Sequence, residues 1–378
     1  MAKTLKETKE EQEKAILISC ELPERDQQDT LNLLYELKDL VVSAGGQVLD
    51  YVVQKKEAVD PKFYLGKGKL EEVRSLLRHH GANLVVCDDE LTPSQVRALE
   101  NFLQIKVLDR SQVILDLFAR RAQSKEGKIQ VELAQLEYLL PRLVGGRKWL
   151  SRLGGGIGTR GPGETKLELD RRLMRQRIHK LKRELEEVRK EREILRKSRR
   201  RKNFFVVSLL GYTNAGKSTL FSALTGEETV ISSKLFSTLD PKVRLLKGTS
   251  NILVSDTVGF IRKIPHHLFA SFRATLEEAQ EADLLLLVVD GSDCKAQEHI
   301  QLAREIMDNL ELSFKPVLTV INKLDLINSG PWLELLLKAN QPALAISALK
   351  GEGIENLIKK IKEQQSQSND FVFNYGKI

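Results

Sequence analysis

Phe204-Phe-Val-Val-Ser-Leu-Leu210, followed at once by Gly211-Tyr-Thr-Asn-Ala-Gly-Lys-Ser218, is the stretch that decides the fold. The apolar run reads as a fully buried strand, and the residues after it match G-x-x-x-x-G-K-[ST]. A helix is expected directly behind, over 219–224. Strand, glycine loop and helix in this order cradle phosphate, because glycines let backbone N–H groups turn inward and the helix N-terminus adds positive potential. The candidate nucleotide-binding segment is therefore Gly211, Tyr212, Thr213, Asn214, Ala215, Gly216, Lys217, Ser218 and Thr219. Lys217 is suited to neutralising β- and γ-phosphate oxygens, and the Ser218 hydroxyl to holding Mg²⁺.

Downstream, three further elements fall in the order that such a loop requires. Ile252-Leu-Val-Ser-Asp256 is a strand ending in Asp256-Thr-Val-Gly259. There Asp256 would reach Mg²⁺ through water, and the Gly259 N–H would meet a γ-phosphate. Two more buried strands are expected over 284–290 and 316–321, the second leading into Asn322-Lys-Leu-Asp325. A carboxylate at Asp325 accepts from guanine N1–H and its 2-amino group, whereas adenine offers only a lone pair at N1, so the pattern selects guanine. Asn322 and Lys323 flank that carboxylate. Ser347, Ala348 and Leu349, after a strand over 343–346, complete the base pocket with a backbone N–H.

Upstream, the period changes. Ile129, Leu133, Leu136, Leu140 and Leu143 recur at alternating steps of four and three, as do Met174, Ile178, Leu181, Leu185 and Val188, with Arg192 breaking the second series. Two heptad seams joined by a loop describe a long antiparallel helical hairpin over 110–202. Its connector, a Gly-rich loop at 145–166, combines glycine with Arg147, Lys148, Trp149, Arg152, Arg160 and Lys166. Arginine pairs with phosphate and tryptophan stacks on bases, so these six are the candidate RNA contacts. A flexible stacking loop suits irregular RNA better than duplex DNA.

Charge supports this placement. The chain of 378 residues carries a net +8. Residues 170–202 alone hold sixteen Lys/Arg against six Asp/Glu, and 142–202 together carry +14, leaving −6 elsewhere. A concentrated positive segment points to a polyanionic partner. Before it, strands and helices alternate over 15–109 as a small parallel α/β subdomain, behind a charged start over 1–14. Gly66-Lys-Gly-Lys69 lacks the spacing of a second phosphate loop. Cys20, Cys87 and Cys294 show no CxxC spacing and read as small core residues. No apolar run approaches a bilayer's thickness and the N-terminus lacks a signal-peptide core, which gives a cytoplasmic expectation. The nucleotide domain is expected over 203–365, with a helix over 354–362 and a short tail over 366–378.

Gly154-Gly-Gly-Ile-Gly-Thr-Arg-Gly-Pro-Gly-Glu-Thr-Lys-Leu-Glu168, Leu65-Gly-Lys-Gly-Lys-Leu-Glu-Glu72, Asp109-Arg-Ser-Gln-Val-Ile-Leu-Asp116 and Gln130-Val-Glu-Leu-Ala-Gln-Leu136 resemble the HflX family of ribosome-associated GTPases. Thr238-Leu-Asp-Pro241 and Asp256-Thr-Val-Gly-Phe-Ile-Arg262 match it as well. The resemblance implies a Ras-like GTPase that binds GTP or GDP and the large ribosomal subunit, with the hairpin on ribosomal RNA and its loop toward the peptidyl-transferase centre. It implies splitting or rescue of stalled or idle ribosomes under stress. It makes Thr238 the switch threonine that closes on Mg²⁺ and γ-phosphate, and sets Lys217, Thr238, Gly259 and Asn214 as the catalytic set. Phe260 stands where many Ras-like enzymes orient water with glutamine, so unaided hydrolysis is expected to be slow. Asn214 resembles the loop asparagine of potassium-activated GTPases, which adds K⁺ as a candidate cofactor. Longer family members carry a further C-terminal domain that this sequence does not match. A ribosome assembly or silencing factor with GTP as a structural switch, and an ATP-dependent RNA remodeller, stay open at this point.

Overall fold

Alternating buried strands and amphipathic helices build the N-terminal unit of this computed structural model. It describes residues 12–143, 166–201, 203–227, 235–236, 242–263, 278–327 and 330–375. The chain divides into two units, Met1–Arg120 with Pro141–Gly156, and Arg121–Leu140 with Ile157–Ile378. In the first, β1 (Lys14–Glu21), α1 (Gln27–Ser43), β2 (Gln47–Lys55), α2 (Lys67–His80), β3 (Leu84–Cys87), α3 (Pro93–Leu103), β4 (Lys106–Asp109) and α4 (Arg110–Arg121) follow in order. All pairings are parallel, in the order β2-β1-β3-β4. Local signals set the ends: Thr92 and Gln95 form a capping box with Pro93 behind it, and Gly81 closes α2 in the left-handed region.

The strand order reverses between β1 and β3, the place where open parallel sheets usually receive ligands beyond their carboxyl ends. Here that place is filled from within. The Tyr64 hydroxyl accepts the Cys20 N–H at 2.9 Å and donates to Asp89 Oδ2 at 2.5 Å. The Cys20 thiol donates to the Tyr64 carbonyl at 3.4 Å. Burial pushes the Cys20 thiol up to about 11 and the Tyr64 phenol well above its usual value, so both stay protonated. Beside them Arg110 is enclosed, paired with Asp88 at 3.0 Å and with Glu36. Two cysteines are core residues as expected; Cys294 is not, and lies exposed in a polar turn of the second unit.

In the second unit α5 (Lys125–Leu139) and α6 (Lys166–Arg201) pack together, burying Ile129, Leu133 and Leu136 on one and Met174, Ile178, Leu181 and Leu185 on the other. The first seam ends early, because Pro141 stops the α-helix and Leu140 enters a 3-10 turn over Leu140–Arg142. Arg192 does not interrupt the second seam: it pairs with the buried Glu126 at 2.8 Å. Arg177 grips Glu132 with two nitrogens at 2.6 and 2.7 Å, and Lys182 meets Glu137 at 2.8 Å.

α6 ends at Arg201 and β5 (Phe205–Gly211) begins the nucleotide domain. There follow α7 (Lys217–Thr225), β6 (Lys242–Leu245), β7 (Ile252–Asp256), β8 (Leu284–Asp290), α8 (Ala296–Asn309), β9 (Val317–Asn322), α9 (Gly330–Ala339), β10 (Ala343–Ala345) and α10 (Ile354–Tyr375). The sheet order is β10-β9-β8-β5-β7-β6, parallel except for β6 against β7. The last helix continues past Lys362 into the stretch expected to be a tail. Nothing from Glu363 to Tyr375 breaks a helix, and Lys360–Glu363 and Ser366–Lys362 contacts lie along it.

Candidate nucleotide site

β5 is buried from end to end between β7 and β8, so its carboxyl terminus is a fixed platform for the loop. Gly211 sits at φ +144°, with a hypothetical Cβ 2.1 Å from the Val288 carbonyl oxygen; no other residue fits. Gly216 caps α7 at φ +90°, its hypothetical Cβ 2.2 Å from Asn322 Nδ2. Asn214 also lies in the left-handed region at φ +63° and is exposed, a conformation that asparagine tolerates better than most residues.

Lys217 is buried, and its ammonium donates to the Gly211 and Tyr212 carbonyls at 3.1 and 2.7 Å. Burial lowers its pKa to about 8, with Asp256 opposing. The Ser218 hydroxyl donates to Asp256 Oδ2 at 2.9 Å. Thr219 is half-buried on the first turn of α7. Gly259 closes onto this group: a Cβ there would stand 2.8 Å from Lys217 Nζ and 2.9 Å from Thr213 Cα. Phe260 is buried, and its backbone bridges to the loop through Phe260 N–H to Gly211 O at 2.9 Å and Thr213 N–H to Phe260 O at 2.8 Å.

The residues expected to read the base converge on the same loop. Asn322 donates to the Ala215 carbonyl at 2.9 Å and accepts the Ala348 N–H at 3.0 Å, joining the phosphate loop to both later motifs. Asp325 Oδ1 accepts the Ser347 hydroxyl at 2.5 Å, which holds the carboxyl below its usual value and keeps it an acceptor. Leu349 is exposed beside it. Lys323, at φ +62°, pairs with Asp290 Oδ2 at 2.5 Å. Sequence reading did not find Asp290, although its place at the end of β8 beside Gly291 marks it. Nor did it find the Thr257 hydroxyl, which donates to the Leu209 carbonyl at 2.6 Å and pins the Asp256 turn to β5. Thr238, Arg147, Lys148, Trp149, Arg152 and Arg160 lie outside the described residues, as does the side chain of Lys166, the first residue of α6.

The glycine loop, the buried Lys217, the Ser218–Asp256 pair and Asp325 thus lie at or just beyond the carboxyl ends of β5, β7 and β9, in the arrangement of a P-loop GTPase. The family model of 50S ribosome-binding GTPases matches residues 206–323, and models of a GTP-binding GTPase N-terminal region and middle region match 32–119 and 121–199. GTPase HflX of Caldanaerobacter subterraneus is 44% identical, covering 99% of this chain and 86% of that protein. GTPase HflX of Escherichia coli is 41% identical over 94% and 83%. The chain belongs to the HflX family of GTPases. HflX proteins are GTP hydrolases, and this chain is one of them. A crystal structure of SsGBP with GDP is 29% identical over 94% of this chain and 99% of that one, with a TM-score of 0.54. A GTP-binding protein from the archaeon Sulfolobus solfataricus, also with GDP, matches at 27% identity and a TM-score of 0.50. Among the described residues, no helix is long and apolar enough to cross a membrane.

Proposed function

We propose that this HflX-family chain binds the large ribosomal subunit when GTP is bound, hydrolyses GTP there, and by this cycle splits or rescues stalled or idle ribosomes under stress. The observation that carries the reading is covalent continuity. The basic helix α6 leads through 202–204 into β5, which presents the phosphate loop, so the polyanion-binding element and the hydrolytic site share one segment. Family membership supports the same partner, since the nucleotide domain matches the 50S ribosome-binding GTPases.

Gly211 to Thr219 wrap the phosphates, Lys217 exchanges its two carbonyl partners for phosphate oxygens, and Asp325 with Ser347, Ala348 and Leu349 reads the guanine. Ser218 and Asp256 fit Mg²⁺: a hydroxyl and a carboxylate 2.9 Å apart are hard oxygen donors, and Mg²⁺ takes few protein ligands and completes its shell with water and phosphate. When bound, Mg²⁺ would neutralise charge developing between β- and γ-phosphates. Thr238 would join Ser218 there, and Gly259 would offer its N–H to the γ-phosphate. Asn214, exposed on the loop, would present its amide oxygen to K⁺.

Co-sedimentation with ribosomal subunits in the presence of a non-hydrolysable GTP analogue, GDP or no nucleotide tests the proposal. Migration with the large subunit only in the analogue is expected; nucleotide-independent migration, or none, would sink it. Accumulation of free subunits from whole ribosomes under GTP would separate splitting from assembly or silencing.

A further inference from the structure

Tyr212 lies within the phosphate loop, yet its side chain turns away from the cradle and ties together two other elements. Its hydroxyl accepts the backbone N–H of Arg262 at 3.1 Å. Its ring lies parallel to the His299 imidazole, with centroids 4.2 Å apart and planes within 9°. The residue before His299 on α8, Glu298, pairs with the Arg262 guanidinium at 2.8 Å, and His299 Nδ1 lies 3.6 Å from Asp293. The short run from Gly259 to Arg262 is thereby clamped at both ends. The Phe260 backbone bridge holds one end, and the tyrosine hydroxyl with the Arg262–Glu298 pair holds the other.

We propose that Tyr212 is a positioning residue for GTP hydrolysis: it holds Gly259–Arg262 in register with the γ-phosphate, and His299 and Glu298 of α8 are the abutment that sets this register. The proposal rests on the assignment of Gly259 to the γ-phosphate made above. Phe260 has no polar side-chain group with which to orient water, so within this run only backbone groups can meet the γ-phosphate and its attacking water. Misplacing reacting groups by about 1 Å costs on the order of a hundredfold in rate. A clamp on backbone position is therefore a clamp on turnover. GDP has no γ-phosphate, so its binding does not sense the clamp.

Tyr212→Phe keeps the ring stack and deletes only the hydrogen bond. In the full-length chain, GDP affinity measured with a fluorescent GDP analogue should stay within about twofold, and phosphate release at saturating GTP should fall about five- to tenfold, as for loss of one neutral hydrogen bond. His299→Ala should reproduce the rate loss with GDP affinity retained, and Arg262→Ala, which keeps the backbone N–H, should lose less. Equal losses of GDP and GTP affinity in Tyr212→Phe would show a merely structural tyrosine and overturn the proposal, as would an unchanged rate. Gly259→Ala distinguishes the two readings. If it hydrolyses GTP at the parent rate, the Gly259 assignment fails. If it is inactive while Tyr212→Phe is unimpaired, only the clamp fails.

Discussion

At Lys217, burial and function pull against each other. Its ammonium is held by two carbonyls in a buried site, and burial lowers its pKa from 10.5 to about 8. The depressed folded-state value means that the unfolded chain binds more protons between pH 8 and 10.5. This lysine therefore lowers stability most below pH 8, by roughly 3 kcal/mol, and the cost is relieved as pH rises through that window. Phosphates reverse the preference by stabilising the cation, so nucleotide binding at pH 8.5 should take up a proton that binding at pH 7 does not. Calorimetric titration of GDP in buffers of different ionisation enthalpy measures this directly; buffer-independent heats at pH 8.5 would contradict the lowered Lys217 pKa. At Gly216 the geometry allows less latitude. Alanine there would strike Asn322 Nδ2 at 2.2 Å in a strained backbone, displacing the side chain that links Ala215 to Ala348. Gly216→Ala should weaken GDP and GTP binding together, by at least about tenfold, a loss of 1.4 kcal/mol or more.

Among elements, α5 and α6 show how far a local pattern reaches. Their heptad steps place Ile129, Leu133, Leu136, Ile178, Leu181 and Leu185 in the buried seam, because side-chain period is a property of the helix itself. Arg192 looks like an error in that pattern because its partner, Glu126, lies far back along the chain and only packing brings them together. Glu126→Ala should therefore destabilise by about 2 kcal/mol, whereas the double replacement Glu126→Met with Arg192→Leu should recover most of the loss by extending the apolar seam. Thermal unfolding of both variants checks this, and a double variant no more stable than Glu126→Ala would show that loss of the pairing is not what destabilises. The nucleotide site was legible for a related reason: Gly211 to Ser218, Asp256, Asn322 and Asp325 each sit at a strand end that the apolar runs locate. β6 was not legible, since Lys242–Leu245 is a partly exposed edge strand without a buried run. The clamp on Arg262 was hidden as well, because it depends on the packing of α8 and not on any spacing along the chain.

For the whole molecule, charge and chemistry are divided along the chain. The +14 over residues 142–202 contrasts with −6 elsewhere, yet α5 neutralises part of α6 through Glu126, Glu132 and Glu137. Large-subunit binding should therefore weaken steeply with salt, each phosphate contact adding on the order of 0.7–0.9 to the log–log slope, while GDP affinity at fixed Mg²⁺ changes little. Sedimentation and GDP titration at two salt concentrations compare the two. The filled crevice of the N-terminal sheet has a different bearing. Where a parallel sheet would ordinarily admit a cofactor, Tyr64 and Asp89 close the crevice from inside. If the crevice leaves the chain a single throttle, Lys217→Ala should silence hydrolysis of GTP and ATP alike, measured as phosphate release; ATP hydrolysis that persisted in that variant would show a second inlet.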